Sequence, residues 1–383
     1  MSGESLTMMA VGDLILSMPE PESYFNFVAP VLRSGDIVIG HGEIPYTKRP
    51  VRTTDTISAQ DPESMRGLTF AGFNVITLAG NHMWDAGIPG IEDTITWLRN
   101  HGIAYVGAGM NIDEARRPVV MERKGVKVGV LSYNCVGPKE TWATSDKPGC
   151  AYVHILTHYE LDHAVPGGPP TVYTFADPDS LDAMIDEIHN LRTLCDVLVV
   201  ALHKGIIHTP IKLARYEQDV SRAAIDAGAD LILGHHAHIL KGIEFYKGKA
   251  IFHGLNNLVA VLRSLTPKPN QDRQNWARKR RELYNFEPDP EYPTYPFHPE
   301  ARQTIIAKCI IEGGKISRIS YLPCLVNKQG QPELLKNDDK GQEVFKYMGK
   351  ITQGAGLNAR YEWKGDEVVI YPPAQKTTGF PRG

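Results

Sequence analysis

The sequence predicts a layered α/β fold with helices on both faces of its sheets. Three observations carry this expectation. Short apolar runs rich in β-branched residues alternate with stretches of helical spacing from residue 6 to about 260. Apolar side chains make up 42% and charged ones 22% of the 383 residues, which is enough to bury a large core and too apolar for a disordered chain. After residue 300 the alternation gives way to strands around a single helix, which reads as a C-terminal β/α extension completing a sheet.

Taken in order, "LTMMAVGDLIL" predicts the first strand over 6–12. A helix over 22–33, a strand over 36–40 and a helix over 62–71 follow. "FAGFNVITL" predicts a buried strand over 73–79, because Val75, Ile76 and Leu78 are apolar and partly β-branched. "GIPGIEDTITWLRNHGI" sets Ile91, Ile95, Trp97 and Leu98 at helical spacing with Pro89 in the first turn, predicting a helix over 88–101. Strands over 104–106, 126–133, 196–202 and 229–234 and helices over 178–193 and 210–227 complete the alternation. The extension holds strands over 303–312 and 315–322, a helix over 341–353 and strands over 358–371.

Two stretches break the rhythm. Residues 137–175 are rich in Pro, Gly, His and Tyr, and 264–300 carry "NQDRQNWARKRRELYNF" followed by a Pro-Tyr string. Long irregular insertions in compact domains serve as lids or binding loops. The expected organisation is therefore a main domain over 1–263 with a lid-like insertion at 137–175, an insertion loop at 264–300, and an extension over 301–383 completing the same domain. The "RKRR" run at 278–281 reads as a solvated helix face.

A net charge of −3 leaves no electrostatic footprint for nucleic acid or an acidic membrane. The five cysteines lack C-x-x-C spacing and are odd in number, as expected for reduced thiols in a cytoplasmic protein. The N-terminus lacks a basic stretch leading into an apolar core, and no segment approaches 18 uninterrupted apolar residues. A soluble, cytoplasmic chain with a small-molecule partner is expected. The sequence is silent on oligomeric state.

Five strand-like runs end in metal-competent residues: Asp13; His41 and Glu43; Asn81, His82 and Asp85; His203; and His235, His236 and His238. Each alone has an innocent reading as a turn, a cap or a core histidine. Five together at strand ends, where α/β folds place ligands, point to a site. Imidazole with carboxylate and amide suits borderline divalent ions such as Zn, Mn or Fe.

The motif order G-D, G-x-E-x-P, G-N-H-x-x-D-x-G, H-x-G, G-H-H-x-H resembles the CapA family, named for poly-γ-glutamate capsule biosynthesis, within the calcineurin-like metallophosphoesterase superfamily. The resemblance runs from about residue 6 to 260 and includes "GKAIFHGLNNLV", similar to a family strand that ends in an Asn, here Asn257. It implies a four-layer α/β/β/α sandwich with two divalent ions between the sheet ends. Asp13, Glu43 and His238 would hold one ion, and Asn81, His203 and His236 the other, with Glu43 bridging. His82 would donate a proton or stabilise the transition state, with Asp85 orienting its ring. "GHHAH" permits two alignments, so His235 competes with His236; the H-x-H spacing favours His236 with His238.

Two departures stand out. The superfamily's D-x-H is here Asp13 followed by Leu14 and Ile15, so a histidine is missing. His41 stands where the family has an amide, on Glu43's face of an extended strand. It could fill the missing place, support another ligand or touch substrate; a family that manages with an amide there favours the last two. Lys204 replaces a family Trp and, with Arg52, Trp142 and His208, forms a candidate pocket for an anionic group. The function implied is a metal-dependent hydrolase acting on an amide, ester or phosphoester of a small anionic or glutamyl-peptide substrate. The alternative is a non-catalytic protein of poly-γ-glutamate binding and assembly.

Overall fold

The computed structural model describes residues 4–51, 53, 59–160, 170–262 and 271–374. One ten-stranded sheet contains β1 (Leu6–Ile15), β2 (Ile37–Gly42), β3 (Val75–Thr77) and β4 (Ala104–Val106). It also contains β15 (Asn257–Ala260), β16 (Gln303–Glu312), β17 (Lys315–Val326), β18 (Pro332–Leu334), β19 (Arg360–Lys364) and β20 (Glu367–Tyr371). Its order is β19-β20-β17-β16-β1-β2-β3-β4, with β15 beside β1 and β18 beside β17.

A six-stranded sheet holds β6 (Val119–Arg123), β7 (Val126–Asn134), β11 (Val197–Lys204), β12 (Leu231–His236), β13 (Ile243–Tyr246) and β14 (Lys249–Phe252), in the order β13-β14-β12-β11-β7-β6. Two short pairs complete the strands: β5 (Ala108–Gly109) with β8 (Gly149–Cys150), and β9 (Ile155–Glu160) with β10 (Thr171–Ala176).

Strand alternation sorts the side chains into three apolar layers. Met8 and Ala10 of β1 face Val128 and Val130 of β7, Val199 and Ala201 of β11 and Leu231 and Leu233 of β12, forming the core between the sheets. Met9 and Val11 face the other way, into a layer with α1 (Ala29–Leu32), α2 (Arg66–Ala71) and α3 (Gly87–Asn100). On the far side of the second sheet, Leu198, Val200 and Leu202 pack with α4 (Ile112–Ala115), α5 (Pro178–Arg192) and α6 (Arg215–Asp226). The result is the expected four-layer α/β/β/α sandwich.

Several boundaries differ from the sequence reading. The helix over 22–33 is a 3-10 turn at Pro21–Phe25 and the short α1, because Pro30 has no N–H to continue a helix through residue 26. The helix over 210–227 begins only at Arg215, since Lys241 Nζ donates to the carbonyls of Thr209 and Lys212 and holds them in a loop. Neither insertion is irregular throughout. The first contains the β9–β10 hairpin, and the second contains α7 (Gln271–Tyr284). Asn257 opens β15 rather than ending a strand.

The extension enters the fold directly. β16 pairs antiparallel with β1, and α8 (Asp339–Gly354) lays Val344, Met348 and Ile351 into the inter-sheet core. Asp338 caps α8 by accepting from Gly341 N–H.

Candidate metal centre

Strand register brings the expected residues together. Asp13 stands opposite His41 on one side and Asn257 on the other, and His41 opposite Thr77. In the second sheet His203 stands opposite His235. Gly12 is required for this approach, because a Cβ there would sit 1.8 Å from the Asn256 carbonyl oxygen. His236 and His238 have φ of 81° and 49°, and these left-handed turns carry both rings out of the strand path.

Asp13 and Glu43 are fully buried and form the anionic centre. His238 Nδ1 lies 3.3 Å from Asp13 Oδ2 and its Nε2 3.4 Å from Glu43 Oε1. His235 Nδ1 is 3.3 Å from Asp13 Oδ1, and His41 Nε2 is 3.4 Å from Glu43 Oε2. His203 Nδ1 approaches Glu43 at 3.7 Å, while its Nε2 lies 2.7 Å from Asn81 Oδ1 and 3.1 Å from His236 Nδ1. His41 is stacked between His203 and His235, with ring centroids 4.7 and 4.6 Å away.

These atoms fit a divalent ion. Asp13 Oδ1, both Glu43 oxygens, His41 Nε2, His203 Nδ1 and both His235 nitrogens are buried without hydrogen-bond partners. Ligand atoms from Asp13, His41, Glu43 and His203 all lie within 4.8 Å of one another. Among the described residues only histidines approach the two carboxylates, and buried charges left uncompensated are costly. Gly80 leaves the space open, since a Cβ there would come within 3.1 Å of His41 Nε2.

The protonation pattern agrees. Burial raises the Glu43 carboxyl, but the surrounding imidazoles, His238 hydrogen-bonded to it among them, hold it well below the usual range. Burial pushes His203 well down and His236 to about 3, leaving neutral, ligand-competent imidazoles. Burial also opposes charge on His238, yet Glu43 and Asp13 lift it to about 9. His238 so raised brings one positive charge to two buried carboxyl groups.

The surrounding groups orient the cluster. Thr77 Oγ1 donates to the Gly40 carbonyl at 3.4 Å, which leaves it to accept from His41 Nδ1 at 2.9 Å and directs the Nε2 lone pair at Glu43. Asn257 Oδ1 lies 2.8 Å from His238 Nδ1. At the rim, His82 Nδ1 is 2.7 Å from Asp85 Oδ2.

The remaining candidates scatter. His41 is completely buried, with Nδ1 on Thr77 and Nε2 toward Glu43. Lys204 is buried. Alternation along β11 turns it away from His203, and its Nζ lies 2.9 Å from His253 Nδ1 and donates to the Glu217 carbonyl at 3.2 Å. Trp142 stacks on Tyr152 at 4.3 Å, away from the carboxylates. His208 stands beside the centre, 6.1 Å from the His238 ring. Arg52 lies outside the described residues.

Sequence reasoning missed the far wall. Phe297 packs on His238 at 5.1 Å, and Arg280 Nη1 lies 3.2 Å from His208 Nε2. Arg278, Lys279 and Arg281 do face solvent, but Arg280 turns inward. Its position in an ordinary-looking basic run hid it.

Fold and cluster define a class: a four-layer sandwich whose sheet ends gather histidines and carboxylates able to hold a metal ion. Residues 5–261 match the family described as bacterial capsule synthesis protein PGA_cap, and the chain belongs to that family. It is 30% identical over 271 residues to the capsule biosynthesis protein CapA of Bacillus anthracis, covering 67% of this chain and 60% of that protein. The PGA biosynthesis protein CapA of Bacillus subtilis (strain 168) is likewise 30% identical over 270 residues, covering 67% and 64%. The chain therefore spans less than two thirds of the length of these relatives. Among solved structures, the calcineurin-like phosphoesterase YfkN of Bacillus subtilis aligns over 91% of this chain and 98% of its own, at 13% identity and a TM-score of 0.37.

Proposed function

We propose that this chain is a metal-dependent hydrolase of the metallophosphoesterase type, cytoplasmic and acting on a small anionic substrate. The observation that carries the proposal is the buried set of unpartnered acceptors on Asp13, His41, Glu43 and His203 beside the His82–Asp85 pair. Asp13, Glu43 and His238 would hold one ion. Asn81, His203 and His236 would hold a second, with Glu43 between the two. The geometry adds His41 to the Glu43 side and His235 to the Asp13 side. Ions held there supply Lewis acidity, making water a nucleophile near neutral pH and offsetting charge that develops on substrate oxygens.

The chain's own groups do the rest. Asp85 fixes the His82 ring through Nδ1, which leaves Nε2 to hold a proton for the leaving group. Arg280 and His208 offer polar contacts at the rim, and Phe297 shields the His238 side from water. The relatives' names direct the proposal toward glutamyl peptides, hence amide or ester cleavage, while the cluster serves phosphoesters equally. We also propose that 1–263 and 301–383 form one domain, with 137–175 acting as a lid.

The test is turnover of ester, amide and phosphoester panels by protein supplied with Mn, Zn or Fe. We expect metal-dependent hydrolysis of one class. His82→Ala should lose about 10²–10⁴-fold in kcat and keep its metal, whereas His236→Ala should lose metal. Equal metal loss in both variants would remove His82 from its role, and no metal-dependent turnover on any panel would remove the hydrolase.

A further inference from the structure

Beside the metal cluster lies an open cleft of about 920 Å³, the size of a pocket for a small organic ligand. It sits between the β9–β10 hairpin, the 136–142 segment and the 205–216 loop that leads into α6. Cluster and cleft share the end of β11. Gly205 and Ile206 lie two and three residues after His203 on the chain, and Cys135 N–H donates to the His203 carbonyl at 2.9 Å.

The lining is of one electrical sign. Lys139, Lys212 and Arg215 line it, and among the described residues no Asp or Glu does. Lys139 Nζ stands 5.6 Å over the Trp142 ring, and no carboxylate pairs with Lys139 or Lys212 among the described residues. Arg215 reaches Asp219 only at 3.5 Å in a pair that is 71% and 53% exposed, where such contacts contribute little. Three cations over apolar walls focus a positive potential into the cleft.

Two further features describe the ligand's body. Trp142, Tyr173 and Tyr216 supply flat apolar surface. Trp142 Nε1 is buried without a hydrogen-bond partner, and a buried donor left this way calls for an acceptor.

We propose that this cleft binds a small polyanion, with at least two acidic groups spaced along an apolar body. Its placement as the holder of acidic groups remote from the reacting bond rests on the hydrolase reading; binding itself does not. Carboxylate and phosphate ligands share this chemistry.

The experiment is calorimetric titration of the full chain, with and without chelator, using triglutamate, uncharged triglutamine and a nucleoside triphosphate. We expect at least one anion to bind tenfold or more tightly than triglutamine, with or without chelator, and to weaken as salt rises. Tighter triglutamate identifies a carboxylate site, and tighter triphosphate a phosphate site. The combined Lys139→Gln, Lys212→Gln, Arg215→Gln variant should lose at least tenfold in affinity. If the combination fails to fold, the exposed single change Lys212→Gln should still weaken binding by several-fold. Triglutamine binding as tightly as both anions, or unchanged affinity in the neutralised chain, would overturn the proposal. Binding that survives in protein without turnover would overturn the hydrolase reading alone.

Discussion

His41 is a single imidazole in a fully buried setting. Its Nδ1 is tied to Thr77, and its Nε2 lone pair faces Glu43 at 3.4 Å inside a stack of three rings. A lone pair facing a carboxylate is repulsive unless a cation lies between them. We therefore predict that His41→Ala weakens one metal by more than about 100-fold, beyond the range for loss of a supporting contact. The second ion should stay. Metal titration against a competing chelator reads this, and unchanged metal content would return His41 to a supporting role. At this scale much was legible, because Asp13, Glu43, Asn81, His203, His236 and His238 could each be placed at a strand end from short motifs. What was not legible was orientation. Alternation along β11 sends Lys204 to a buried network, and left-handed backbone at His236 and His238 lets all three histidines of "GHHAH" approach the centre.

Elements were easiest to read where one face is buried and hardest where turns did the work. Each strand that ends in the cluster carried its own apolar run. The β6–β7 and β13–β14 hairpins were missed because their turns, Lys124–Gly125 and Lys247–Gly248, are left-handed at both residues without the Asn-Gly or Asp-Gly signature. The second insertion hid α7 because most of its residues are polar and its apolar ones, Trp276, Ala277, Leu283 and Tyr284, are few. α8 is different. It is amphipathic, and it buries Met348 completely against the strands of both sheets. Met348→Ala should therefore cost about 2–5 kcal/mol in urea unfolding while leaving metal content unchanged. A change within about 0.5 kcal/mol, as at surface sites, would show that the extension lies outside the cooperative unit.

Across the whole molecule, two sheets present the ends of β1, β2, β11 and β12 to one point, and the sandwich buries that point. Burial gives the cluster its chemistry, since buried acceptors without a protein partner favour a bound cation. The four-layer arrangement was implied by the family resemblance, whereas the aromatic wall at Phe297 and the cationic cleft came from insertions whose sequences carry little periodicity. Among the described residues no helix is long and apolar enough to cross a membrane. The central claim is that buried Asp13, His41, Glu43 and His203 hold metal. It is tested most directly by elemental analysis of protein purified without chelator, then stripped and offered Mn, Zn and Fe in turn. We predict at least one equivalent per chain, restored after stripping. A fully folded chain that stays metal-free with all three would contradict the account.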